Sequence, residues 1–100
     1  MNYHFVESEY DKAKIGKWTE IGKSKIAYKF YFKGACCDMP VLEKMRAKID
    51  NGTLYIEKGV PFHESHDKIG VCGISIDFVM KKDEYPNYKK LIVSVVKDRE

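Results

Sequence analysis

The sequence predicts a single α+β domain over residues 1–100, in which an antiparallel sheet of about five strands carries one helix on one face. The expected order is an N-terminal β-hairpin, the helix, then three C-terminal strands. Three stretches carry this expectation. Ile26, Tyr28, Phe30 and Phe32 alternate with Lys25, Ala27, Lys29, Tyr31 and Lys33, the period of two that puts large apolar side chains on one face of a strand. Val41, Leu42, Met45 and Ile49 recur at helical spacing, opposite Glu43, Lys44, Arg46 and Lys48. Cys72, Ile74, Ile76, Phe78 and Met80 alternate again, with Gly73, Ser75 and Asp77 between them.

Taken in order, Tyr3 to Val6 is a short aromatic run suited to an edge strand, and Glu7 to Lys14 is too polar and aperiodic to assign. Trp18–Ile21 and Lys25–Lys33 form the two arms of a hairpin around Gly22-Lys23-Ser24. Asp38 followed by Pro40 supplies a helix start, and the helix is expected from Pro40 to Asp50. Asn51-Gly52 is read as its stop, before a strand over Thr53–Glu57 with Leu54 and Ile56 inward. Lys58 to Lys68 reads as a long surface loop. Ile69–Lys82 is a strand, and a turn around Pro86 leads into Tyr88–Lys97. That last strand is apolar on both faces and is therefore expected in the centre of the sheet.

Composition narrows the class further. A chain of 100 residues buries roughly two-thirds of its unfolded surface, enough to fold without metals or staples. Its 44% hydrophobic and 33% charged residues are those of an ordinary globular protein, and a net charge of +3 is short of a strongly basic nucleic-acid coat. Three cysteines are an odd number and Cys36 and Cys37 are adjacent, so no disulfides and a reducing, cytoplasmic compartment are expected. Neither a signal-peptide pattern nor a run of about 18 apolar residues occurs, so no membrane association is expected.

Four groups of residues suggest chemistry. Lys25, Lys29, Tyr31 and Lys33 share the outward face of one strand, where lysines can track phosphates while a tyrosine stacks a base. Lys81, Lys82, Lys89 and Lys90 extend this candidate binding surface if the two ends of the chain share a side of the sheet. The plainer reading, that these lysines keep a solvent-facing sheet soluble, leads. His63, His66 and Asp67, with Cys36, Cys37 and Cys72, are zinc-compatible types, but their spacing matches no finger and no metal or other cofactor is assigned.

A thiolate pair from Cys36 or Cys37 with His63 or His66 is likewise only a combination on paper, as is acid/base work by Glu64 and Asp67. Gly16, Gly22 and Gly34 lack the context of a phosphate loop. Trp18, Tyr31, Tyr55, Tyr85 and Tyr88 fall at strand ends or outside plain core positions, where rings favour either interfaces or the rim of a small core.

The function expected from this is a non-catalytic binding or inhibitor protein occupying the surface of a protein or protein–nucleic-acid complex. A phage or mobile-element counter-defence factor is one version of it. The alternatives are a direct nucleic-acid-binding domain using the basic, tyrosine-bearing face, and a small zinc- or thiol-dependent protein. A homodimer through the Tyr3–Val6 edge is open to the chain.

Overall fold

The computed structural model describes residues 2–36, 39–59 and 70–96. Seven strands build two sheets: β1 (Tyr3–Ser8), β2 (Trp18–Ile21), β3 (Lys25–Ala35), β4 (Arg46–Asp50), β5 (Thr53–Glu57), β6 (Val71–Lys81) and β7 (Ile92–Val96). The first sheet has the order β1-β6-β3-β2 and is antiparallel; the second has the order β4-β5-β7, with β5 and β7 parallel. Among the described residues there is no α-helix, and the helical segments are short 3-10 turns such as Leu42–Lys44 and Tyr88–Lys90. The α+β expectation is therefore corrected: a second sheet, not a helix, covers the first.

The correction has a local cause. Within the expected helix, Arg46, Lys48 and Asp50 are exposed while Ala47 and Ile49 point inward, an alternation that satisfies a strand as well as a helix. What decides is the Asn51-Gly52 pair. Both residues have positive φ, 56° and 83°, as a two-residue hairpin turn of type I′ requires. A helix cap needs only one such residue. The pair therefore joins β4 to β5, with Asp50 opposite Thr53 and Arg46 opposite Glu57.

The hairpin of β2 and β3, the inward Leu54 and Ile56 of β5, and the long strand β6 lie where the alternation put them. The last strand is corrected in place and in kind. β7 is an edge strand parallel to β5, and Ile92 on it is 67% exposed. A run apolar on both faces is compatible with burial on both faces but does not enforce it.

The core lies between the sheets. Ile26, Phe30 and Phe32 of β3 and Ile76, Phe78 and Met80 of β6 pack against Leu54 and Ile56 of β5, closed by Met45, Tyr88 and Leu91. Phe78 is fully buried, ringed by Tyr3, Phe5 and Trp18, and full burial of such a side chain contributes about 1.5–3 kcal/mol. Tyr88, expected at the rim, is 3% exposed and belongs to this core.

Cys36 and Cys72 form a disulfide, which overturns the expectation of none. Adjacency of Cys36 and Cys37 forbids only a bond between those two. The β3/β6 ladder sets Gly34 opposite Cys72, so Cys36, just past the strand end, comes within a Cα distance of 4.8 Å. No helix among the described residues is long and apolar enough to cross a membrane.

Candidate functional site

The face of the first sheet that points away from the core carries Lys25, Lys29, Tyr31 and Lys33 on β3, as the alternation required, and Ser75, Asp77 and Lys81 on β6 beside them. Lys25 stands opposite Lys81, Lys29 opposite Asp77, Tyr31 opposite Ser75 and Lys33 opposite Gly73. These pairings divide the lysine row into unlike parts.

Lys29 is the centre of a closed polar network. Its Nζ lies 3.2 Å from Asp77 Oδ1 and donates to Ser8 Oγ at 2.8 Å and to the Glu9 carbonyl at 2.9 Å. Ser8 Oγ in turn donates to Asp77 Oδ1 at 3.1 Å and lies 3.3 Å from Ser75 Oγ, whose residue is 4% exposed. The ammonium thus has two hydrogen-bond acceptors and one ion-pair partner around it. A serine beside a lysine is the constellation of nucleophilic catalysis only when the amine holds a free lone pair to take the hydroxyl proton. Here the Lys29 nitrogen also lies 3.2 Å from Asp77 Oδ1 and bonds the Glu9 carbonyl, so the contact ties β1 to β3 across β6.

The Tyr31 hydroxyl end lies over Gly73, in the space a Cβ there would occupy, and its ring meets Tyr10 at 4.8 Å between centroids. Lys33 is exposed at the far end of the strand. Lys25 and Lys81, both exposed, mark the opposite end, where the β2–β3 turn meets the end of β6 and Lys82 N donates to the Ser24 carbonyl at 2.8 Å.

At that end Lys82 Nζ binds Glu20 Oε2 at 3.0 Å, and the Tyr88 hydroxyl donates to the same oxygen at 3.3 Å. The hydrogen bond and charge of Lys82 hold the Glu20 carboxyl below its ordinary pKa, and the same hydrogen bond and charge hold the Lys82 ammonium above its own. Burial pushes the Tyr28 hydroxyl up. Lys89 sits 6.0 Å from the Tyr88 ring, and Lys90 is exposed in the same 3-10 turn. The seven lysines and one tyrosine predicted from sequence thus fall into a neutralised centre at Lys29, an aromatic and cationic end at Tyr31 and Lys33, and a basic end at Lys25, Lys81, Lys82, Lys89 and Lys90.

Sequence reasoning passed over Ser8, Glu20, Lys23 and Tyr10. Nothing local marks them: each gains its role from a partner at least twenty residues away. Of the candidate metal set, Cys36 and Cys72 are bonded to each other, while Cys37, His63, His66 and Asp67 lie outside the described residues, as do Glu64 and most of the long loop. Between the sheets, Tyr3 receives the Ala47 N–H at 3.1 Å and borders a groove of about 650 Å³ lined by Ile49, Met80, Glu84 and Tyr85. Compared with protein-family models, curated proteins and solved structures, the chain matches none.

Proposed function

We propose that this is a non-catalytic binding protein that occupies the surface of a protein or nucleoprotein partner, in the manner of a small inhibitor or accessory factor. The observation that carries the reading is the Lys29 network. Ser8 meets Lys29 and Asp77 in a network in which the Lys29 ammonium also bonds the Glu9 carbonyl, and contacts that tie β1 to β3 across β6 suit a strut. The outer surface is left as the working part, with Tyr31 40% exposed beside Tyr10 and with Ile92 and Val95 exposed on β7, the material a partner covers. The cytoplasmic setting belongs to the same proposal. It carries a check of its own, since a Cys36–Cys72 bond persists there only if its potential lies below the glutathione poise.

The test is a panel of ester, peptide and nucleic-acid substrates run with the wild-type protein and with Ser8→Ala, alongside affinity capture from the native host. No turnover and a stoichiometric partner retained by both proteins are expected. Turnover that disappears in Ser8→Ala would sink the proposal.

A further inference from the structure

The sequence offers Lys82, Lys89 and Lys90 around one turn, and the fold brings Lys23 to them. Two grooves meet there at Lys82 and Pro86. One, of about 370 Å³, is lined by Lys23, Ser24, Lys82, Asp83 and Pro86. The other, of about 390 Å³, continues past Asn87 and Tyr88 to Lys89 and Lys90 and includes Glu20. Lys25 and Lys81, opposite each other on the ladder, line a separate groove with Tyr3 and His4. Four lysines, Lys23, Lys82, Lys89 and Lys90, therefore line the joined grooves against Glu20 and Asp83, leaving two positive charges of a chain whose net charge is +3.

The charges are not all equivalent. Lys82 is committed to Glu20 and fixes the floor of the joined grooves, with Tyr88 bonded to the same carboxylate. Lys23, Lys89 and Lys90 are exposed along the rim. Lysines are compact point charges that attract phosphate without demanding a fixed fork geometry, and a row of them along a groove matches a linear polyanion. A folded acidic protein would instead want a well-packed apolar anchor at the centre. The centre here is Lys82 and Pro86, and the ring that lines the grooves, Tyr88, is 3% exposed and committed to the core.

We infer that this end docks the sugar–phosphate backbone of a nucleic acid, without reading its sequence, along the path from Lys23 past Lys82 to Lys90. The inference rests on the reading of the chain as a non-catalytic binder and names the chemistry of what it binds. It places the interface at the end of the sheet, not across the β3 face, where Asp77 neutralises Lys29. Each phosphate contact releases counterions, so affinity falls steeply with salt. Since the grooves offer no exposed ring for stacking, single and double strands compete for the same path.

The experiment is fluorescence anisotropy of short labelled DNA and RNA, single- and double-stranded, over a salt series from about 50 to 200 mM. One variant replaces Lys23, Lys89 and Lys90 with Glu. A control with the same charge change replaces Lys33, Lys44 and Lys48, which lie elsewhere on the surface. A thermal melt checks that both fold, and a triple Lys→Gln version of the first set stands in if the Glu set does not. The expected result is at least about a tenfold loss of affinity in the first set with a shallower salt slope, and less than about a threefold loss in the control. Equal losses in the two sets, no binding at the lowest salt, or displacement of the oligonucleotide by polyglutamate at equal charge would overturn the inference. Gel analysis of the recovered oligonucleotide separates the two readings. Intact but unbound nucleic acid removes this inference alone, whereas cleaved nucleic acid removes the non-catalytic reading beneath it.

Discussion

Lys29 Nζ reaches Ser8 Oγ at 2.8 Å although their strands are not neighbours: β6 lies between β1 and β3, and the lysine spans it. The side chains of Lys29 and Asp77 are 12% and 21% exposed, so the pair is shielded enough that its loss is felt. Replacing Lys29 by Met leaves the Asp77 carboxylate and the Ser8 hydroxyl short of a partner, and is expected to cost about 1–3 kcal/mol in urea unfolding. Lys29→Met combined with Asp77→Asn should recover part of that loss. A strictly additive double variant would show that the two charges do not interact.

The Cys36–Cys72 bond joins residues separated by 36 in sequence, and closing such a loop removes unfolded-state entropy worth about 3–4 kcal/mol. Reductant, or Cys72→Ser, should lower the urea midpoint accordingly. With two of the three cysteines bonded, alkylation without reductant should label one thiol per chain. Three labelled thiols in the untreated protein would contradict the bond.

Two glycines should respond differently to alanine. At Gly73 the added Cβ meets the Tyr31 ring, the far end of a side chain that can swing aside, so Gly73→Ala should cost under about 1 kcal/mol and lift Tyr31 off Tyr10. At Gly59 the φ is 65° and the Cβ would lie 2.6 Å from the Lys44 backbone carbon, which cannot step away. Gly59→Ala should therefore destabilise by about 2 kcal/mol or more. Thermal melts of the two variants compared with wild type decide the order.

The Glu20–Lys82 contact makes the edge of the first sheet sensitive to pH. Glu20, held below its ordinary value of 4.5, contributes stability that is present above that value and lost as pH falls through its depressed folded pKa. Lys82, held above its ordinary 10.5, contributes stability present below that value and lost as pH rises through its elevated one. Trp18 packs on Tyr88 at 5.2 Å, so its fluorescence reports this corner. The signal should be flat across neutral pH and change in acid below the ordinary glutamate range, and Glu20→Gln should abolish the acid change. An unaltered acid transition in that variant would assign it to another carboxylate.

Side-chain period and turn chemistry are properties of a few consecutive residues, and these the sequence determined by itself. Ile26, Phe30, Phe32, Ile76, Phe78, Met80, Leu54 and Ile56 face inward as their alternation demanded, and the turn at Gly22 to Ser24 joins the strands it was expected to join. The lysines and Tyr31 of β3 share an outward face for the same reason. What only the tertiary structure decided was pairing. Arg46–Asp50 suits both a helix and a strand until β5 offers it a ladder, and Ile92–Val96 becomes an edge because only β5 lies beside it among the described residues. Cys36 meets Cys72, and Lys29 is silenced by Asp77 while Lys25 and Lys81 remain exposed, through the register of β3 on β6. Register joins residues far apart in the chain, and its energy comes from packing and hydrogen bonds that exist only once both strands are in place.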